Sequence, residues 1–386
     1  MKIERDEMTV DYKLRVFNAI DEIGKDQIDS ISNDFFFTYG WFKTLEEQKD
    51  FKIAPFYIAA YEQDKLVAFA PCFVDLLDHY FLHARYVVPF MKRFLKIGNK
   101  FGLWKKHVLL CYSPFCLRSK VLLEKSGEEK LILRLLSKKI DEICEKQGFL
   151  FSSFLFVSEF DKLLMENLQN LGYIQSPGTT TLYLDIKWSS FEDYLKSLTY
   201  KTRKNIRREI RKCAENGVLI EERDLEGLSA KLPALLSNLF WKYDENAENL
   251  FNQPFFCKLE EYARDTAKVF VAEKNDEVVG FSMSLRQRDV LDVFMCGFDY
   301  DAQTKTDFTY FNLCYYAPIR WAIEKGIKKI YYRRKAEKVK MDRGCKPERT
   351  YSYIKCHNRI IGFLIKKALE NKIYSRLKEW LLRQYS

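Results

Sequence analysis

The stretch Ser189-Ser-Phe-Glu-Asp-Tyr-Leu-Lys-Ser-Leu-Thr-Tyr-Lys-Thr-Arg-Lys-Asn-Ile-Arg-Arg-Glu-Ile-Arg-Lys-Cys-Ala-Glu-Asn-Gly217 decides how the chain is read. Its spacing predicts one long helix. Ser189 with Glu192 three residues on has the form of a capping box, and Asn216-Gly217 is a helix stop. Leu195, Leu198, Ile206, Ile210 and Cys213 recur at helical intervals and suit a core. The opposite face carries Lys201, Arg203, Lys204, Arg207, Arg208, Arg211 and Lys212, with Glu209 as its one acid. Like charges four apart each destabilise a helix by ~0.2–0.5 kcal/mol, so such a cluster suits a nearby anion.

The flanking elements read outward from there as an α/β chain. Upstream, residues to about 31 are polar and locally helical. Phe56–Ala60 and Leu66–Ala70, joined by Glu62-Gln-Asp64, form a β-hairpin. Residues 75–125 are irregular, aromatic and basic, an insertion. Glu128–Gln147 is an amphipathic helix that stops at Gly148. A strand (149–157), a helix (159–171) and a strand (180–186) follow. Downstream, residues 268–282 are again strand, polar turn, strand. Setting Ala60 on Ala272 places Asp64 on Asp276, Val67 on Val279 and Phe69 on Phe281. The helix ending Ile140-Asp-Glu-Ile-Cys-Glu-Lys-Gln-Gly148 also matches Ile319-Arg-Trp-Ala-Ile-Glu-Lys-Gly326. Two matches in the same order indicate a duplicated unit, with domains at 1–187 and 188–386.

A net charge of +10 over 386 residues favours acidic partners but is too small to mark a dedicated DNA binder. The ten cysteines include no Cys-x-x-Cys pair, so neither a zinc framework nor a disulfide scaffold is indicated. Buried thiols in a reducing cytoplasm are the expectation. His79 and His83, near Asp75 and Asp78, are read as structural, and no metal is expected. The first residues lack an apolar signal segment, and no apolar run reaches membrane-helix length. The basic, apolar-striped residues 359–386 are read as a helix docking on the domain, with peripheral contact to an anionic membrane as the alternative.

Hairpin, strand, helix and strand in this order resemble the GNAT acyltransferase fold. Two such units with a basic helix opening the second resemble the FemAB-like proteins of peptidoglycan biosynthesis and recognition. The motifs carrying that resemblance are Phe191-Glu-Asp-Tyr-Leu through Gly217, Trp241-Lys-Tyr243, Phe255-Phe256, Cys314-Tyr-Tyr316, and Lys340, Arg343-Gly344, Pro347, Thr350 and Ser352. The resemblance implies tandem GNAT-like units, each a mixed, mainly antiparallel sheet flanked by helices. It implies transfer of an acyl or aminoacyl group to an amine. The donor would be aminoacyl-tRNA or acyl-coenzyme A, with no tightly bound cofactor. The acceptor would be nucleotide-linked or lipid-linked.

The expected site is a cleft between the units. Its binding residues would be Lys201, Arg203, Lys204, Arg207, Arg208, Arg211, Tyr243, Lys340, Arg343, Thr350 and Ser352, with the catalytic groups unassigned. Where relatives carry an acidic residue and a His, this chain has Lys338 and Val339. A further His is replaced by Ile354, with His357 slightly beyond. The turn 297–307 has one Gly and three Asp, which suits a coenzyme A pyrophosphate poorly. The alternatives are a coenzyme A-dependent N-acyltransferase, and a non-catalytic module binding an anionic polymer or glycan precursor.

Overall fold

The computed structural model describes residues 12–51, 54–76, 107–243, 251–302, 306–358 and 362–363. Expectations for His79, His83 and most of 359–386 fall outside them. The architecture is mixed α/β, with mainly antiparallel sheets flanked by helices. The chain divides into two compact units. The described residues of Met1–Asn18, Ala54–Thr179 and Thr350–Ser386 form the first, and those of Ala19–Ile53 and Thr180–Arg349 the second. This partition departs from a contiguous division at residue 187. Residues 19–53 join the second unit because Phe36 and Trp41 pack edge-on against Phe294 at 5.5 and 5.8 Å. From Thr350 onward the chain pairs with strands of the first unit.

In the first unit, β1 (Tyr12–Phe17) pairs antiparallel with β3 (Tyr57–Glu62). The helical expectation for this segment is corrected by its alternation of Tyr12 and Leu14 with Lys13 and Arg15, a strand pattern. β3 and β4 (Lys65–Ala70) make the expected hairpin. Beside β2 (Ala54–Pro55), β5 (Cys72–Leu76) runs into the segment read as irregular, 75–125, which itself supplies β6 (His107–Cys111) and β7 (Leu122–Leu123). β6 runs parallel to β8 (Phe151–Ser158), and β8 pairs antiparallel with the chain's last strand, Lys346–Cys356. The helix Glu129–Gln147 covers this core with Ile132, Leu133, Leu136 and Ile140. It ends at Gly148, whose φ of 72° is left-handed.

The second unit takes the latter half of β9 (Ile174–Asp185), which pairs antiparallel with β14 (Lys329–Tyr332). Outward from β14 the order is β13 (Val290–Phe298), β12 (Glu277–Gln287), β11 (Ala267–Lys274) and β10 (Leu219–Arg223). The duplication read from sequence is present in the strand register itself. Ala60 pairs with Ala68 and Ala272 with Gly280, and both ladders shift immediately afterwards. Glu62 then meets Lys65, and Lys274 meets Glu277. Every pair keeps the offset of the sequence alignment.

Candidate functional site

The basic stretch folds as two helices, Phe191–Ser197 and Tyr200–Glu215, rather than one. Two hydroxyls decide this. Ser190 Oγ accepts from Asp193 N at 3.1 Å, and Thr199 Oγ1 accepts from Thr202 N at 3.3 Å. Each is an N-cap that competes with helix continuation, and Leu198 between them is extended. The cap is therefore Ser190, one residue after the expected Ser189. The stop at Asn216-Gly217 is as expected.

The exposed face of the second helix presents Lys201, Lys204, Arg207, Arg208 and Arg211. Arg207 pairs with Glu192, and Arg211 with Glu215 at 3.4 Å. Arg203 Nη1 donates to the carbonyl oxygens of Lys196 and Leu198, tying the two helices together. Arg208 lies 5.6 Å above the Phe308 ring. Lys201 and Lys204 have no ion pair among the described residues.

Glu209 points the other way. It falls three residues after Ile206 and four before Cys213, the other buried positions of this helix, so the apolar periodicity itself carried the signal. Its Oε2 accepts from Arg343 Nη2 at 2.9 Å and from the Tyr316 hydroxyl. Arg343 also donates to the Tyr316 oxygen from Nη2 at 2.7 Å, and to Val339 O at 3.1 Å. Its backbone carbonyl accepts from Tyr194 OH at 3.0 Å, and its guanidinium lies 4.4 Å above the Phe311 ring. Burial, with Glu209 adding to it, raises the Tyr316 phenol far above its usual range, so it remains a donor. Arg343 therefore fastens the basic helix from within and is not a free anion ligand.

Lys340 is also turned inward. It lies on the short helix Glu337–Asp342 and is 4% exposed. Its Nζ donates to the carbonyl oxygens of Arg333 and Lys335. Burial pushes its pKa down to about 8. Thr350 and Ser352 belong to the first unit and are buried. Thr350 Oγ1 accepts from Thr179 N and donates to Thr179 O, both at 3.0 Å. The adjacent Gly178 has no room for a side chain, because a Cβ there would lie 2.7 Å from Thr350 O. His357 is in the first unit too, with Nε2 2.9 Å from Ser152 Oγ. Tyr243 ends the helix Leu232–Tyr243, and its side chain lies outside the described part. The expected binding residues thus divide between the units, with Thr350 and Ser352 in the first. The basic helix, Lys340 and Arg343 share the second unit, with only the helix's cations facing outward.

What the sequence did not reveal is an opening between two parallel strands. β13 and β14 pair from Val290↔Lys329 to Val293↔Tyr332. β13 then continues to Phe298 on its β12 side alone. A bulge marks the divergence: Met283 faces Met295 and Ser284 faces Val293, leaving Phe294 extra. Arg333 Nε donates to Phe294 O at 3.1 Å, at the start of the gap. Gly297 lets β13 pass close to the helix Leu232–Tyr243, because a Cβ there would lie 2.5 Å from the Leu235 backbone. Over this region lies a five-residue π-helical turn, Asn312–Tyr316, whose Tyr315 stacks on Tyr332 at 5.3 Å. Such turns are frequent at functional sites. The basic helix is fastened here as well, since Asn312 Nδ2 donates to Glu209 O and Asn216 Nδ2 to Thr306 O, both at 3.2 Å. In the turn after β13, Asp299 Oδ1 accepts the amides of Asp301 and Ala302 at 2.9 and 3.1 Å.

Two units with the same hairpin register, and a pair of parallel strands that separates beyond Val293 in the second, have a tandem GNAT-type fold. The chain belongs to the FemAB-like family, described by peptidoglycan biosynthesis and recognition, whose pattern matches residues 19–379. Among solved structures it is similar to FemX, with 12% identity, a TM-score of 0.61, and coverage of 91% of this chain and 99% of that one. A tandem GNAT protein from the clavulanic acid biosynthesis pathway gives 10% identity, a TM-score of 0.51, and coverage of 90% and 99%. L-PGS from Bacillus licheniformis gives 11%, 0.50, 85% and 96%. These likenesses concern the fold. No curated protein matches the sequence. Among the described residues, no helix is long and apolar enough to cross a membrane.

Proposed function

We propose that this protein transfers an acyl or aminoacyl group from an anionic donor to an amine of a peptidoglycan-type precursor, in the cytoplasm. The observation that carries the reading is the β13–β14 gap. Among the described residues no strand pairs with the outer edge of β13 beyond Val293; Arg333 takes the Phe294 carbonyl and Asn238 the Phe298 carbonyl, and the backbone between them is open to align an extended donor or acceptor by main-chain hydrogen bonds. Orientation of this kind, with hydrogen bonding to the developing oxyanion, supplies much of the rate in acyl transfer. The turn that follows β13 adjoins the basic helix, where Arg208 covers Phe308 and Lys201 and Lys204 have no ion pair among the described residues. That face suits the phosphates of a tRNA. A nucleotide-linked or lipid-linked acceptor offers phosphate chemistry of the same kind.

Coenzyme A is the less favoured donor, because Asp299 both takes up two amides of the turn and places a negative charge there. The test presents the purified chain with aminoacyl-tRNA or acetyl-coenzyme A and a uridine-diphosphate muropeptide, and follows label into the amine. Transfer from aminoacyl-tRNA alone supports the preferred donor, and transfer from acetyl-coenzyme A alone replaces it. Saturable muropeptide binding with no transfer from either establishes the binding-module alternative.

A further inference from the structure

Between the helices Glu129–Gln147 and Lys162–Asn170, within the first unit, lies a cavity of about 340 Å³. The first helix lines it with Lys130 and Arg134, four residues apart and so on one face. The second lines it with Leu163, Glu166, Asn167 and Asn170, again at spacings of three and four, and Leu171 follows at its end. A hydrogen bond joins the two helices here: Asn167 Nδ2 donates to Ser137 Oγ at 2.8 Å. Asn167 is only 7% exposed, and its Oδ1 is left with no donor among the described residues. Leu163 and Leu171 pack against the core of the unit, which fixes the apolar part of the wall. The charges of the cavity are opposite and do not meet. Lys130 and Arg134 are exposed cations and Glu166 an exposed anion, yet none of the three has an ion pair among the described residues. Like charges four apart disfavour the helix that carries them, so an anion between Lys130 and Arg134 relieves that repulsion.

We infer that this cavity binds a small zwitterion, an amino acid or dipeptide with a free carboxylate and a free ammonium group. The carboxylate takes the Lys130 and Arg134 end, where the guanidinium offers paired N–H donors. The ammonium group donates to Glu166 and to Asn167 Oδ1, and Asn170 meets a peptide group. An aliphatic side chain lies on Leu163 and Leu171. A plain anion such as phosphate would satisfy the cations alone, leaving Glu166 and Asn167 Oδ1 without donors and the leucines without an apolar partner. The volume falls at the lower end of the ~300–1,000 Å³ of ligand pockets, which suits one or two residues and not a nucleotide or a lipid-linked precursor. The lining has no thiol, hydroxyl or imidazole, so the site binds and does not react. The cavity lies wholly in the first unit, and its occupancy stands apart from transfer at the β13–β14 gap.

The test titrates the full chain with glycyl-leucine and reads binding by saturation-transfer NMR. The expected result is saturable binding with a dissociation constant on the order of 1 mM or tighter, the level that ligands of this size reach at ordinary efficiency. Glycyl-leucinamide, which lacks the carboxylate, and N-acetylglycyl-leucine, which lacks the ammonium group, should each bind about 10- to 100-fold more weakly, as loss of a charge-assisted hydrogen bond predicts. Arg134→Gln and Glu166→Gln alter exposed side chains and should keep the wild-type melting temperature. Arg134→Gln should weaken glycyl-leucine by the same factor and leave the amide unaffected, and Glu166→Gln should do so for the free amine and not for the acetylated form. The two blocked analogues test the wild-type chain by themselves should a variant fail to fold. No saturable binding of glycyl-leucine overturns the inference, as does equal binding of both blocked analogues or binding unchanged in both variants. Inorganic phosphate that displaces glycyl-leucine with equal affinity marks a simple anion site and also overturns it. Transfer of label to the amine is measured separately and is untouched by any of these results.

Discussion

Glu209→Gln is the most informative change to the second unit. The side chains of Glu209 and Arg343 are 9% and 8% exposed, and the 2.9 Å contact is their only ion pair among the described residues. The amide retains the volume but removes the charge, leaving a buried guanidinium with one phenol and one carbonyl. Removing one partner of a buried pair typically destabilises by about 3–5 kcal/mol. Arg343→Met strands the carboxylate instead and should lose a similar amount. The double variant has neither uncompensated charge, so the two losses should not add, with a coupling of about 2–3 kcal/mol. Urea unfolding followed by tryptophan fluorescence is weighted towards this unit, because four of the six tryptophans, Trp41, Trp188, Trp241 and Trp321, belong to it. Single variants that each lose less than about 1 kcal/mol, with an additive double, would refute the buried-fastener account. Arg343→Met with unchanged stability and abolished binding of an anionic probe would restore Arg343 as a substrate ligand.

The exposed basic face predicts that Lys201→Glu/Lys204→Glu weakens tRNA binding without shifting the melting temperature. A titration over salt should lose about one unit of log–log slope per phosphate contact removed. Thr350→Val leaves the buried amide and carbonyl of Thr179 unpaired, which should cost about 1–3 kcal/mol in unfolding experiments and leave tRNA affinity unchanged. Lys340 titrates near 8 when folded against 10.5 for an ordinary lysine. The unfolded chain therefore holds the proton more tightly between those values, and stability rises as pH increases from 8 towards 10.5. Comparison of Lys340→Met with wild type at pH 8 and pH 10 should show this rise missing from the variant, on the order of 2 kcal/mol. Equal pH dependence in both would show that Lys340 keeps its proton.

Local pattern made the scaffold legible. Both hairpins were readable because apolar alternation brackets a polar turn, and the alignment of Ala60 with Ala272 survives as identical register. The helix ends at Gly148 and Gly217 were readable because left-handed φ favours glycine there. The break at Leu198–Thr199 was hidden, since Ser and Thr serve equally well as caps and as surface residues. Inward placement of Lys340 and Arg343 was hidden for a different reason. Their partners are backbone carbonyls and a carboxylate 134 residues away, and composition records charge without direction. The gap beyond Val293 comes from a one-residue bulge, which leaves no mark in apolar periodicity.

Two copies of one scaffold need not share chemistry, and their interiors differ in the treatment of buried charge. Under the helix of the first copy, Asp141 accepts from Tyr173 OH at 2.7 Å and from Lys355 Nζ at 2.5 Å, and Ser152 bonds Tyr173 at 2.8 Å. Charge there is neutralised by a pair, and burial holds His357 below the usual histidine range. In the second copy one buried pair, Glu209–Arg343, fastens the basic helix, but Lys340 is held by the Arg333 and Lys335 carbonyls, with no carboxylate partner among the described residues. An unpaired buried amine is unfavourable for folding, whereas proton transfer needs such a group. On the transferase reading, Lys340→Met should lower transfer of label to the amine, while disruption of the first-copy network by Tyr173→Phe should affect stability alone.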